Sequence, residues 1–171
     1  MSSGLLALAP RDRDGALRVV IESPAGSRVK LEYAREIGGF VLSRPLVLGM
    51  TYPFDWGFVP GTRASDGDPV DAMVLADVPT YPGVIVSCRV RALLEVEQDA
   101  KQGRKRERND RLIVEPLVAR RPTARLSKRL KQELEAFFVA VTLLERKNVA
   151  ILGWKDARAA EASIDRSRHA R

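Results

Sequence analysis

Residues 66–75 read DGDPVDAMVL: three aspartates within six residues, split by a glycine and a proline, run directly into an apolar segment. Like charges this close repel, and a carboxylate at the edge of a core is costly without a compensating cation. The stretch is therefore either a solvated turn leading into a strand or a place where aspartates hold metal. Asp, Gly and Pro each favour turns, which supports the first reading. A calcium loop of the EF-hand kind is excluded, because its fifth, sixth and twelfth positions fall on Val70, Asp71 and Asp77. Asp66 and Asp68, two apart, share a face in an extended segment, and Pro69 can turn Asp71 toward the same point. Three hard oxygen ligands on one rim suit Mg²⁺, which binds through a few carboxylates and keeps water for a phosphate substrate.

Working outward, the first two thirds of the chain carry strand signals. LRVVIE (17–22), RVKLEYA (28–34), GGFVLSR (38–44), AMVLAD (72–77), VIVSCRVRALLEVE (84–97) and RLIVEPL (111–117) are separated by Gly, Pro and Ser-rich turns. Short strands spaced in this way predict a small barrel or sandwich. The period then changes: Leu126, Leu130, Leu134, Phe138, Val141 and Leu144 recur every three or four residues, one face of an amphipathic helix expected from Ser127 to Lys147. A short strand at 149–152 follows, and Trp154, Ala157, Ala160 and Ile164 form a weaker helical stripe. The expectation is an α+β, mainly β domain spanning 1–171, a barrel with C-terminal helices packed on it, preceded by a flexible arm over 1–15.

Composition narrows the chemistry. One cysteine, Cys88, excludes an internal disulfide, and the one histidine, His169, sits in a charged tail, so a Cys/His zinc site or a histidine-based triad is not expected. No apolar run approaches the roughly 20 residues of a membrane span, and the N-terminus makes a poor signal peptide, which together predict a cytoplasmic protein. The formal charge of +7 favours anionic partners. Much of it lies in the loop 101–111, KQGRKRERNDR, and in residues 119–131. That loop has no aromatic side chain for base stacking, so nucleic acid is the less favoured partner. Catalysis, if present, falls to carboxylates, lysines and arginines. Glu22, Lys30, Glu32 and Arg44 are charged residues inside otherwise apolar strand-like runs. With the aspartates they supply acids for a metal and cations for an anion.

The blocks VVIESPAG, VKLEY, FVLSRPL, MTYPFDWGFVPGT, DGDPVDAMVL, YPGVIVSCRV and the late FF…LGW, in this order, resemble family I soluble inorganic pyrophosphatase. The resemblance implies a five-stranded, OB-like barrel with helices at its side. It further implies Mg²⁺-dependent hydrolysis of inorganic diphosphate to two phosphates by attack of a metal-bound water, in a homo-oligomer. By motif, Asp66 and Asp71 match metal ligands, Glu22 and Glu32 help hold metal through waters, and Asp68 matches the general base. Lys30 and Arg44 match the phosphate-binding cations. Tyr52 and Trp56 fall on the two tyrosine positions of the family's Y-P-x-x-Y-G-F element and are expected at the substrate.

The second half of the family pattern is altered. Its D-x-x-x-x-D-x-K arrangement falls on Gln98, Asn109 and Arg111, with Asn109 in a metal-ligand place, and its Tyr-Lys pair falls on Val141 and Thr142. A slip of one residue would bring Asp99 or Asp110 into play instead, at the cost of turning a strand side chain to the other face. Two readings follow: a pyrophosphatase with a weakened metal cluster, or an impaired relative that binds phosphate compounds or nucleic acid.

Overall fold

The computed structural model describes residues 4–100, 105–119, 126–145 and 147–168. His169, the middle of the basic loop (101–104) and residues 120–125 lie outside them. Nine strands are described: β1 (Leu17–Ser23), β2 (Val29–Ala34), β3 (Gly39–Pro45), β4 (Asp55–Val59), β5 (Val70–Val74), β6 (Ile85–Asp99), β7 (Arg106–Arg108), β8 (Arg111–Pro116) and β9 (Ala150–Asp156). The helices are α1 (Lys128–Val141) and α2 (Ala157–Ser167).

Five strands close on themselves in the order β1-β4-β5-β8-β6, with β6 returning to β1 through Leu17↔Cys88 to Val20↔Ile85. This ring is the expected five-stranded OB-like barrel. Every junction in it is antiparallel except β5–β8, which is parallel. The 15-residue β6 serves β1, β8, β7 and β9 in turn, and its register shifts at Val90/Ala92 and Glu95/Val96 bend it to do so. The β2–β3 hairpin stands apart as its own sheet. It is tied to β1 where the Leu31 N–H donates to Ser23 Oγ (2.9 Å) and the Tyr33 N–H to Glu22 Oε1 (2.8 Å).

The period of two along each strand creates two cores. On one face Leu17, Val19, Ile21, Val70, Ala72, Val74, Leu112 and Val114 pack with Ala160 and Ile164 of α2. On the other, Trp56, Met73, Leu94, Val96 and Ile113 pack with Leu134, Phe138 and Val141 of α1. Helix α1 starts where expected: Ser127 Oγ accepts from the Leu130 N–H at 3.1 Å, satisfying one open donor of the first turn.

Several features differ from the sequence reading: Trp154, expected on the second helical stripe, lies in β9, and β7 forms within the expected loop. The strand β4 was not anticipated, because Asp55 and Gly57 depress strand propensity. Asp55 is nonetheless buried as an acceptor for the N–H groups of Ala25 (2.8 Å) and Thr80 (3.0 Å) and the Thr80 hydroxyl (2.6 Å). At Gly57 a Cβ would lie 1.9 Å from Val20 O, so only glycine lets β4 approach β1 so closely. Helix α1 ends at Val141 rather than Lys147, with Thr142 Oγ1 donating to the carbonyls of Phe138 and Val139 (both 3.1 Å). Leu144, expected on the buried stripe, is exposed. Finally, the described part (4–15) of the arm expected to be flexible over 1–15 is tied down: Gly61 N–H donates to Leu6 O (3.0 Å) and Arg18 N–H to Pro10 O (2.8 Å). Among the described residues no helix is long and apolar enough to cross a membrane.

Leu134 is 1% exposed at the centre of the α1 contact. Its replacement by alanine should cost about 2–5 kcal/mol, the range for a buried leucine whose cavity cannot collapse. Urea denaturation measures it, and a loss below about 0.5 kcal/mol would show that α1 does not seal this face.

Candidate active site

The α1 side of the ring changes character along its strands. Met73 gives way to Asp71 on β5, Ile113 to Arg111 on β8, and Leu94 and Val96 to Gln98 on β6. These positions share one parity, so the apolar face covered by α1 continues into a polar cavity of about 390 Å³. All ten residues expected from the sequence line it: Glu22, Lys30, Glu32, Arg44, Tyr52, Trp56, Asp66, Asp68, Asp71 and Asn109. Gln98, Arg111, Val141 and Thr142 line it as well, as do Glu145 and Lys147, which sequence reasoning missed. The missed pair follows from the early end of α1. Leu143–Glu145 forms a single 3-10 turn, and the signal in the sequence was the run of three charges, 145–147, just past Leu144.

The aspartate turn is built as its composition suggested. Asp68 N–H donates to Asp66 Oδ1 (3.2 Å), Ala64 N–H to Asp68 O (2.7 Å), and Gly67 adopts φ 88, a left-handed value that favours glycine. Asp71 follows on β5 with its register neighbours Phe58 and Arg111 on either side. The registers also exclude a one-residue slip. Asp110 accepts from the Val96 N–H (2.9 Å) and from Arg108, and Asp99 pairs with Arg106 and Asn148. Neither lines the cavity, whereas Gln98 and Asn109 do.

Each cation of the cavity is paired. Lys30 Nζ lies 2.5 Å from Glu32 Oε1, Arg111 Nη1 lies 2.5 Å from Asp71 Oδ2, and Lys147 Nζ lies 2.8 Å from Glu145 Oε2. Arg44 pairs with Glu145 and donates to Val141 O (3.0 Å). Asn109 Oδ1, expected to face an ion, instead accepts from Arg111 Nη1. Tyr52 and Trp56 stack at 6.3 Å between ring centres and rest on Phe137 and Phe138. The Arg111 guanidinium lies 5.4 Å over the Trp56 ring.

Charge on the described lining is unbalanced, with six carboxylates against four cations. Burial, partly opposed by the Tyr33 N–H and reinforced by Asp71, pushes Glu22 up to about 8. Asp71 is also raised by burial, with Arg111 pulling the other way. Lys30 is held above its ordinary value: burial disfavours its charge, and Glu32 more than offsets that. Among the described residues no three His, Cys, Asp or Glu side chains converge closely enough to hold an ion alone. The donor set still fits Mg²⁺, which uses one or two carboxylates together with waters and substrate oxygens rather than a closed protein cage. Gln98 is 1% exposed and its Oε1 has no hydrogen-bond partner, so a hard oxygen at the cavity wall is left for a ligand or water.

Over residues 19–171 the sequence matches the model of the inorganic pyrophosphatase family. The chain belongs to the inorganic pyrophosphatase family. An inorganic pyrophosphatase of a Synechocystis strain is 37% identical over 150 residues, covering 85% of each chain, and that of Thermus thermophilus is 38% identical over 147, covering 84% and 83%. The crystal structure of the Thermus thermophilus protein superimposes with a TM-score of 0.85 at 33% identity over 95% of both chains. That of the Helicobacter pylori protein gives 0.82 at 32%, over 94% and 95%.

The raised Glu22 makes stability depend on pH. The folded protein holds a proton that the unfolded chain releases between 4.5 and about 8. This contribution is therefore complete below 4.5 and is lost as pH rises through 8. Chelator-treated protein should lose up to about 1.4 kcal/mol per pH unit across that window, and Glu22→Gln should flatten the slope. Denaturation at several pH values checks this; a wild-type profile flat over the window would contradict it.

Proposed function

We propose that the protein hydrolyses inorganic diphosphate to two phosphates with the help of Mg²⁺. The observation that carries the reading is the meeting of Asp66, Asp68 and Asp71 with Lys30, Arg44 and Arg111 on one cavity. Asp66 and Asp71, with Glu22 and Glu32, would hold the ion. When bound, Mg²⁺ neutralises phosphate oxygens and lowers the pKa of water. Asp68 acts as the general base: its carboxylate takes a proton from the attacking water as that oxygen bonds to phosphorus and the bridging P–O bond breaks. Lys30, Arg44 and Arg111 stabilise the charge that gathers on the departing phosphate. Tyr52 and Trp56, buried and stacked, form a rigid wall against which the substrate is oriented. In this reading the protein works in the cytoplasm as a homo-oligomer. The free thiol of Cys88 is buried, which suits a reducing compartment.

The altered quarter favours a second reading, in which diphosphate or another phosphate compound is bound and not turned over. Gln98 and Asn109 bring no charge, and Val141 and Thr142 bring no cation. One assay separates the two: phosphate release from diphosphate by purified protein, with and without Mg²⁺. Release that requires Mg²⁺ is expected; no release at any Mg²⁺ concentration would leave the binding reading. Asp68→Asn should lower turnover by about 10²–10⁴-fold, the range for a positioned base, with an unchanged circular dichroism spectrum. An Asp68→Asn protein that retains full turnover would remove Asp68 from this role.

A further inference from the structure

The quarter of the cavity made by Gln98, Asn109 and Arg111 raises a separate question, because it mixes neutral amides with a fixed cation. Asp71 and Arg111 are direct register partners on the parallel strands β5 and β8. Their ion pair is therefore fixed by the sheet itself. The Arg111 side chain is 9% exposed, held by Asp71 Oδ2 on one side and Asn109 Oδ1 on the other, over the Trp56 ring. Both contacts use Nη1, so the Nη2 and Nε donors of the planar fork take no part in them.

A divalent ion seeks carboxylate oxygens and is repelled by a guanidinium. Here the one carboxylate, Asp71, already gives its Oδ2 to Arg111, which leaves only Oδ1 for an ion shared with Asp66, and the other two side chains are carboxamides. The quarter has no net negative charge to offset the dehydration of an ion. Anionic oxygens meet the opposite conditions: a desolvated guanidinium, which forms strong charge-assisted hydrogen bonds, and an amide at Gln98. That amide can present N–H as readily as its unpartnered oxygen by turning its terminal torsion.

We propose that Arg111, clamped between Asp71 and Asn109, acts as a built-in cation for a phosphate oxygen, so that divalent ions bind on the Asp66–Asp68 side and none in the Gln98–Asn109–Arg111 quarter. The assignment rests on the diphosphate reading and adds to it how the cationic work is divided between metal and side chain. It also accounts for the neutral Asn109: an aspartate there would draw the guanidinium away from Asp71 and invite a further ion.

The test reads binding and needs no turnover. Mn²⁺ uptake is followed by electron paramagnetic resonance, and inorganic phosphate binding at saturating Mn²⁺ by calorimetry, for wild type, Arg111→Gln, Arg111→Lys and Asn109→Asp. Arg111→Gln should weaken phosphate binding about 10- to 100-fold, the loss of one charge-assisted hydrogen-bonding group, without reducing Mn²⁺ uptake. Asn109→Asp should take up an additional ion. Arg111→Lys keeps the charge facing Asp71 and guards against misfolding of the glutamine variant; it should fall between that variant and wild type. Unchanged phosphate affinity in both Arg111 variants would overturn the assignment, as would Asn109→Asp with the same Mn²⁺ count as wild type. If no protein binds phosphate or Mn²⁺ at all, the diphosphate reading falls and this assignment with it.

Discussion

The balance of charge within a half-buried cavity is the constraint on which this structure turns. Among the described residues six carboxylates and four cations line one space, and burying charge there is costly unless it is paired. Pairing answers most of the problem: Lys30 with Glu32, Arg44 and Lys147 with Glu145, and Arg111 with Asp71. What remains is an excess of acid over cation on the described lining, and burial drives Glu22 toward its neutral form. A bound cation relieves that excess. An incoming diphosphate, itself densely negative, makes it worse. In the proposed reading the site therefore ties substrate entry to the presence of a divalent ion.

The ring of strands makes this cavity by the same rule that makes the core. Residues two apart share a face, so Met73 and Asp71, Ile113 and Arg111, and Leu94, Val96 and Gln98 form continuous rows that begin under α1 and end at the site. Helix α1 seals the apolar end through Leu134 and Phe138. Its early termination at Val141 then lets Glu145 and Lys147 return to the charged end. Stability and chemistry thus occupy successive stretches of the same strands, and a register slip would destroy both.

Much of this was legible in the sequence. The DGDPVD turn, the Leu/Phe stripe of α1 up to Val141 with its Ser127 cap, and the charged residues inside apolar strands each carry a local signal, and the structure brings them to the core and the cavity. Gln98 and Asn109, placed by the resemblance to the family pattern, line the cavity. The Asp71–Arg111 pair was not legible: it depends on β5 and β8 being parallel neighbours, which no local pattern encodes. Strand β4 was hidden by Asp55 and Gly57, whose fitness for a strand comes from Ala25, Thr80 and Val20 elsewhere in the chain. Glu145 depended on where a helix stops, and that was set by the Thr142 hydroxyl rather than by periodicity.

The DGDPVD turn and the cations of the β2–β3 hairpin meet in one cavity, and in the proposed reading Gln98, Asn109 and Arg111 give this chain its own division of labour. A guanidinium locked to its neighbours carries positive charge permanently, whereas a metal ion carries it conditionally. The most direct test of the account is calorimetric titration of wild-type protein with methylenediphosphonate, a diphosphate analogue that cannot be hydrolysed, with and without Mg²⁺. The account predicts binding in the presence of Mg²⁺ and none measurable after chelation. Equal affinity in the two conditions would show that the paired side chains accept the anion unaided, and would contradict the claim that excess acid makes the metal a condition of entry.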